Sequence, residues 1–109
     1  MTNISQRATP ETERSLASTS FDGTDQLIGT ALTENPVIVV FDNQTDVEVP
    51  LYINGILYKT FVAGDVFPLD LRANLGKAAD MTFDIGTVFS TNASVGTSGS
   101  FRISILYAR

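Results

Sequence analysis

Residues 47–62, VEVPLYINGILYKTFV, contain the pattern that decides the fold class. Apolar residues alternate with other residues on both sides of Asn54 and Gly55, as they do in strands that bury one face. An Asn-Gly pair favours a two-residue type I′ turn, because both central residues of that turn need a positive φ. The sequence therefore predicts a β-hairpin centred on this pair.

The turn also predicts the register of the hairpin. Counted outward from the turn, the opposed pairs are Ile53 with Ile56, Leu51 with Tyr58, Val49 with Thr60 and Val47 with Val62. Side chains directly opposite each other share a face, so the four pairs would form one mostly apolar surface. Pro50 falls on the other face opposite Lys59, and since proline cannot donate to a ladder we expect a free edge or a bulge near it.

Six further segments show strand-forming residues between turns rich in Asn, Asp and Gly. They are residues 15–21, 26–32, 37–41, 67–71, 81–89 and 101–107. Segment 37–41 is apolar on both faces, which is typical of a central strand covered on each side. A helix of more than one turn does not fit, because Gly76 interrupts the best candidate, residues 72–80. About eight short strands predict an all-β fold, an antiparallel β-sandwich with a jelly-roll-like arrangement.

The chain of 109 residues has the size of one domain. Residues 14–109 are predicted to form this single β-sandwich domain, in which the small, polar stretch 90–100 is a flexible loop. Residues 1–13 are mostly polar and are predicted to form an extended N-terminal arm. Because an arm with so few apolar residues cannot order itself by its own burial, we expect a neighbouring subunit or another partner to hold it.

The composition excludes several kinds of chemistry. With no Cys and no His, the chain cannot form a disulfide, a Cys/His zinc site, a thiol nucleophile or a Ser-His-Asp triad. Twelve acidic against seven basic residues give a net charge of −5, which disfavours binding to nucleic acid. Neither a signal-peptide core nor an apolar run of about 20 residues is present, so we expect a protein made in a cytoplasm, without a membrane partner.

Four pairs of aspartates raise the alternatives of a calcium site or a catalytic carboxylate pair. The pairs are Asp22 with Asp25, Asp42 with Asp46, Asp65 with Asp70, and Asp80 with Asp84. Each pair flanks a predicted turn, where Asp side chains bond to nearby backbone N–H groups, so we interpret them as turn residues. Neither lysine lies in a Ser-Lys motif, and stretch 96–99 lacks the Gly-Lys-Ser/Thr ending of a P-loop. We predict no enzymatic activity and no cofactor.

Four segments carry a resemblance to a known group of proteins. They are 39–46 (VVFDNQTD), 59–64 (KTFVAG), 69–74 (LDLRAN) and 96–108 (GTSGSFRISILYA). In this order, and together with 14–17 (RSLA) and 29–32 (GTAL), they are similar to elements of small virion proteins of tailed bacteriophages. The resemblance extends from about Arg14 to the C-terminus, and its short motifs mark a scaffold rather than a catalytic site.

The resemblance implies a β-sandwich that occurs in many copies on a phage particle, first of all as a capsid decoration or cement protein. Its partners would be the major capsid protein or other virion proteins, and further copies of itself, with a trimer favoured. Its location would be the virion, after assembly in the host cytoplasm. The alternatives are a component of the head–tail junction and a surface spike that binds a receptor or glycan.

Such a protein would grip its lattice by strand-edge pairing, by loops and by the N-terminal arm. Three candidate contact residues lie in the arm, and four lie in or beside the predicted loops 75–80 and 92–99. The seven are Ile4, Arg7, Pro10, Leu75, Lys77, Asn92 and Val95. Both loops lack Phe and Tyr, which argues against a sugar-stacking platform there.

Overall fold

A computed structural model of the chain describes residues 8–71 and 83–108. Nine strand segments make up most of the regular structure. They are β1 (Ala8–Pro10), β2 (Arg14–Ala17), β3 (Gln26–Leu27), β4 (Pro36–Asn43), β5 (Val49–Ile53), β6 (Ile56–Phe61), β7 (Val66–Asp70), β8 (Phe89–Thr91) and β9 (Ser100–Ala108). Within the described ranges, helix is confined to one 3-10 turn, Ser18–Ser20.

The strands form two antiparallel sheets. The first has the order β1-β9-β4-β7, with β2 also paired to β9, and the second has the order β3-β8-β5-β6. Because β4 occupies the other side of β9, β1 and β2 follow each other along one edge, and the nine segments fill eight strand positions. The predicted all-β, antiparallel β-sandwich is therefore confirmed.

The pairing between the strands is nested. β2 pairs with β9, β3 with β8, β4 with β7, and β5 with β6. A long hairpin rolled up on itself gives this order, and the Asn54-Gly55 turn lies at its tip. Rolling it up also places β9 between β1/β2 and β4, so the strand made last is central to the first sheet.

Aromatic rings form the centre of the core between the sheets. The ring centroid of Phe41 in β4 lies 5.6 Å from that of Phe61 in β6 and 5.9 Å from that of Phe89 in β8, so Phe41 links one sheet to the other. Phe61 in turn lies 5.6 Å from Phe101 in β9. All four side chains are fully buried. Truncating one buried Phe typically costs about 3–5 kcal/mol, so this cluster supplies much of the stability.

The hairpin turn forms as predicted. Asn54 and Gly55 both adopt positive φ, 53° and 82°, and Ile53 lies opposite Ile56. Beyond Tyr52 the register shifts by one residue, because Tyr58 is an extra residue in β6. A bulge of this kind leaves one residue unpaired and changes which side chains face the core.

The bulge makes the predicted outer register wrong. Leu51 lies opposite Lys59 instead of Tyr58, and Val49 lies opposite Phe61 instead of Thr60. The physical reason is burial: the shift turns the large ring of Phe61 into the core and leaves Thr60 exposed. The predicted pair of Val47 with Val62 is also absent, because the Asn43 amide lies between them and donates to both of their carbonyls.

Three other predicted strands are shorter than expected. Residues 83–88 form a turn instead of a strand, with Gly86 at φ 94° and the Thr87 N–H donating to the Asp84 carbonyl, so β8 begins only at Phe89. Residues 81–82 lie outside the described part of the chain. The strand predicted over residues 15–21 ends at Ala17, because a 3-10 turn follows it. The strand predicted over residues 26–32 ends at Leu27, because Gly29 with its positive φ interrupts the extended chain.

The second half of the predicted N-terminal arm is part of the sandwich. Ala8–Pro10 pairs with β9 of the same chain, and the Glu11 N–H donates to the Ile105 carbonyl at 3.0 Å. Main-chain pairing along a sheet edge orders this segment, a source of order that its polar composition does not reveal. Residues 1–7 of the arm lie outside the described residues, as does the segment 72–82.

Candidate interaction surfaces

The loops gather at two opposite ends of the sandwich. At one, which we call the loop end, hydrogen bonds tie together residues 18–25, 44–48, 62–65 and 92–99. At the other, which we call the hairpin end, they tie together residues 28–35, 54–55 and 83–88. Another molecule could contact the sandwich at either of these two ends or at the sheet edges.

The structure places three of the seven sequence-predicted contact residues. Pro10 is exposed in edge segment β1, opposite Leu106. Asn92 and Val95 lie at the loop end, where Val95 is 61% exposed and Asn92 is half-buried, with its amide donating to the Tyr52 hydroxyl at 3.4 Å. Pro10 is thus separate from the other two. The remaining candidates fall outside the described residues; they are Ile4, Arg7, Leu75 and Lys77.

The loop 92–99 is fastened to its surroundings, in contrast to the flexible loop predicted over residues 90–100. The Asp46 carboxylate accepts hydrogen bonds from the Thr97 N–H at 3.0 Å, from the Thr97 hydroxyl and from the Ser98 N–H at 3.4 Å. These bonds, led by the Thr97 hydroxyl, hold the pKa of Asp46 below its ordinary value. Gly96 is needed for the close approach, since a Cβ there would lie 2.6 Å from Asp46 Oδ1.

Two other aspartates that suggested a site accept hydrogen bonds from residues two positions further along the chain. Asp22 accepts from the N–H and hydroxyl of Thr24, and its pKa is lowered by those bonds, chiefly by the hydroxyl. Asp42 accepts from the side-chain amide of Gln44 at 2.5 Å. The contacts of Asp22 agree with the interpretation of the carboxylates as turn residues, whereas Asp42 lies in β4 and bonds to a side chain. Over residues 8–71 and 83–108, three or more Asp, Glu, His or Cys side chains do not come together in a group that could hold a metal ion.

A buried ion pair joins the N-terminal segment to the sandwich. The Arg14 guanidinium, almost fully buried, donates to Glu11 with an Nε–Oε1 distance of 2.5 Å and to the carbonyls of Ile28 and Thr30. The Tyr107 hydroxyl donates to the same carboxylate at 2.7 Å. Burial alone would raise the pKa of Glu11, but the bonds from Arg14 and Tyr107 keep it below its ordinary value.

The same contacts act in the opposite sense on Tyr107. Burial, with the Glu11 carboxylate beside the hydroxyl, raises the pKa of Tyr107 to about 12. Gly29 leaves room for the Arg14 side chain, because a Cβ at this position would lie 2.8 Å from its Cδ. The polar groups of this network therefore satisfy one another, and we interpret the network as structural.

The four sheet edges each carry a feature that hinders the addition of another strand. β3 has two residues, β7 contains Pro68, and the edge formed by β1 and β2 contains Pro10 and is interrupted at residues 11–13. β6 carries Lys59, which is half-buried and places its ammonium 5.3 Å from the ring centroid of Phe61 and 5.4 Å from that of Phe67. Short strands, prolines, bulges and inward-pointing lysines all protect edges. The expected strand-edge pairing with a partner is therefore disfavoured.

The hairpin end exposes a cluster of aliphatic side chains. Ile56 is 73%, Leu57 is 52% and Ile85 is 64% exposed. They border a groove of about 570 Å³ between the tip of the β5–β6 hairpin and the turn 83–88, and we call it the hairpin-end groove. Its lining is Ile53, Asn54, Ile56, Leu57, Tyr58, Phe83, Asp84, Ile85, Gly86 and Thr87.

Sequence reasoning missed this groove. Ile56 was expected on the apolar, buried face of the hairpin, and Ile85 was expected to alternate within a strand. One signal was nevertheless present: a solvent-exposed hairpin tip normally carries polar residues, whereas Ile53, Ile56 and Leu57 surround this turn.

The charge of the described surface is strongly one-sided. Eleven of the twelve acidic residues fall in the described ranges, against three basic ones, Arg14, Lys59 and Arg102. Arg14 is buried in its ion pair and Lys59 covers aromatic rings, so Arg102 is the exposed cation of this part of the chain. A molecule that contacts this surface meets negative potential.

The chain matches no family model, no curated protein and no solved structure. Across the described residues, the structure contains no helix long and apolar enough to cross a membrane. Fold, surface shape and charge are therefore the features from which a function can be inferred.

Proposed function

We propose that this chain is a non-enzymatic structural protein of a tailed-bacteriophage particle, where it decorates the capsid shell and stabilises it through contacts between subunits. The observation that carries the proposal is the nested eight-position sandwich with an exposed apolar groove at one end. The sequence resemblance to small phage virion proteins supports the same assignment.

The strand order is the first support. The nested pairing of eight strand positions in two antiparallel sheets supports the assignment to a jelly roll, an architecture found in viral capsid and lectin domains. A fold alone does not determine a function, since the same architecture also supports enzymes. The proposal therefore depends equally on what the surface offers.

The use of the polar residues is the second support. Asp46 and Asp22 bind loop backbone, and Glu11, Arg14 and Tyr107 satisfy one another. These polar groups bond within the chain, which suits a protein whose role is to make contacts through the shape, the apolar area and the negative charge of its surface.

The third support is the physics of attachment in many copies. A domain of this size offers a small interface, and an oligomer multiplies weak contacts by holding several binding surfaces at once. A cyclic trimer would match sites of local threefold symmetry in a shell. If the protein binds the assembled shell and not the separated shell subunits, binding raises the heat resistance of the shell, because a ligand that binds only the intact state stabilises that state.

The test uses empty heads of the encoding phage, assembled without this chain. Purified protein is added, bound copies are measured by co-sedimentation, and the temperature of head disruption is measured by light scattering. We expect saturable binding and a higher disruption temperature. Heads that neither bind saturating protein nor gain heat resistance would refute the proposal.

Imaging of the intact particle separates the alternatives. Density for the chain over the shell agrees with decoration, a ring at the neck indicates a head–tail junction component, and density at spike tips indicates receptor or glycan binding. The last alternative has one point in its favour, since jelly rolls also form lectins.

A further inference from the structure

We infer that the hairpin-end groove is the surface by which the chain attaches to its partner, and that the partner presents aliphatic or aromatic side chains beside Lys or Arg. The inference rests on the proposed function for the identity of the partner, which is then the shell protein. It names the surface, the chemistry of the occupant and the mode of attachment.

The apolar exposure of the groove is the first step. Ile56, Leu57 and Ile85 are each more than half exposed and lie next to one another around a single concavity. Exposed apolar residues scattered singly are normal on a protein surface, whereas a contiguous patch marks an interaction site. Burying these three side chains against a partner removes apolar area from water, which favours binding.

The second step is that both walls of the groove are fixed in place. The Asn54 N–H donates to the Val88 carbonyl at 3.0 Å, and the Val88 N–H donates to the Asn54 side-chain oxygen at 3.0 Å. Two further hydrogen bonds hold the turn 83–88. The Ile85 N–H donates to the Asn35 side-chain oxygen, and the Gly86 N–H donates to the Leu32 carbonyl. A groove formed before binding loses less entropy when a partner enters, so more of the contact energy becomes affinity.

The third step concerns the mode of attachment. Each of the four sheet edges has a feature that hinders strand addition. These features are the shortness of β3, which has two residues, Pro68 in β7, Pro10 with the interruption at residues 11–13, and the inward-pointing Lys59 in β6. Attachment through side chains in a groove does not require a free edge. The hairpin end therefore replaces the strand-edge contact that the sequence alone suggested.

Charge complementarity identifies the occupant. Asp84 is exposed and is the charged residue of the groove lining. Of the described cations, Arg14 is buried, Lys59 lies over aromatic rings, and Arg102 is exposed but does not line the groove. The chain as a whole carries a charge of −5. A partner with acidic residues at the rim would be repelled, whereas Lys or Arg beside the apolar side chains would pair with Asp84 and speed association.

Two double variants, matched in exposure, test the inference with the empty heads as probe. Leu57→Ser with Ile85→Ser changes residues 52% and 64% exposed in the groove, and Val62→Ser with Leu27→Ser changes residues 52% and 62% exposed outside it. We expect the groove variant to weaken head binding at least tenfold and the matched variant to change it less than twofold. Asp84→Asn should weaken binding a few-fold in low salt and flatten its salt dependence.

The outcomes separate this inference from the proposed function. If the unaltered protein does not bind heads, the proposed function fails and the inference fails with it. If the protein binds and the groove variant binds equally well, or if Val95→Ser abolishes binding, the inference alone is overturned. An unchanged salt dependence in Asp84→Asn overturns the charge assignment.

Measurements on the free protein exclude other occupants. If residues 72–82 of the same chain filled the groove, the groove variant would lower the melting temperature well below that of the matched variant. If a second copy filled it, native mass spectrometry would show the variant as a smaller oligomer. Either result would overturn a partner-binding role, whereas equal melting temperatures and equal mass support it.

Discussion

Replacing Asn43 by Ala should cost this protein a large part of its stability, although the residue is polar. Asn43 ends β4 in the first sheet and is fully buried. Its amide nitrogen lies 3.0 Å from the carbonyl oxygens of Val47, Phe61 and Val62, and its oxygen accepts from the N–H and hydroxyl of Thr45. One side chain thus connects the end of β4 to the end of β6 in the other sheet.

The expected loss follows from which partners keep another bond. The Val47 carbonyl retains the Thr45 hydroxyl, and the Val62 carbonyl retains the Asp65 N–H. The Phe61 carbonyl loses the Asn43 amide, and the Thr45 N–H loses its side-chain acceptor. The Thr45 N–H, left unpaired, costs about 1–3 kcal/mol, and the one hydrogen bond lost at the Phe61 carbonyl costs about 1 kcal/mol more, which gives a loss of roughly 3 kcal/mol in the free energy of unfolding. That loss would lower the melting temperature by about 10–20 °C.

Urea unfolding followed by far-ultraviolet circular dichroism measures this difference, because the chain has no Trp for fluorescence. Gln44→Ala, an exposed neighbour, is the control and should lose less than about 0.5 kcal/mol. A loss of less than about 1 kcal/mol for Asn43→Ala, with an unchanged m-value, would refute the reasoning.

Asn43→Asp adds a test of sign. A carboxylate facing three carbonyl oxygens has its pKa raised in the folded state. The variant should therefore be least destabilised below about pH 4, where the acid is protonated in both states, and should lose stability as the pH rises.

Three further predictions concern the bulge, a loop contact and pH. Phe61→Ala should cost about 3–5 kcal/mol and Thr60→Ala less than about 0.5 in urea unfolding; equal losses would contradict the bulged register. Gly99→Ala, at φ 79° with its Cβ overlapping a backbone carbonyl of the facing loop, should prevent stable folding, whereas Gly23→Ala, at φ 82° in open space, should lower the melting temperature by only a few degrees. Folding lowers the pKa of Asp46, so the stabilisation by its carboxylate is present above about pH 4 and is lost as the pH falls through the pKa of the folded state. The difference in the free energy of unfolding between wild type and Asp46→Asn should therefore vanish on acidification. A difference that stays constant would count against the contact.

The sequence could predict what is local and periodic. The Asn54-Gly55 turn needs only its own two residues, and the alternation of residues 101–107 needs only one buried face. The Tyr58 bulge could not be predicted, because it depends on whether Phe61 or Thr60 meets the rings of the opposite sheet.

The candidate surface depends even more on distant residues. The groove exists because Asn54 and Val88 bind each other across 34 positions of sequence, and loop 92–99 is fixed by Asp46, about 50 positions earlier. Of the predicted contact residues in the described ranges, Pro10 and Val95 are exposed and Asn92 is half-buried. The alternation of residues 81–89 predicts Ile85 on a buried face, but the turn at residues 83–88 leaves it exposed.

The central position of β9 has a consequence for synthesis in the cell. Until β9 has left the ribosome, β2 has no partner strand and β4 is paired on one side only, so the rings of Phe41 and Phe61 face a half-built interior. At about 5–20 residues per second, adding residues 62–108 takes roughly 2–9 s, and the chain spends at least that time in this state. A released fragment that ends at residue 99 should therefore be readily cleaved by protease and bound by chaperones, whereas a released fragment that ends at residue 108 should be resistant.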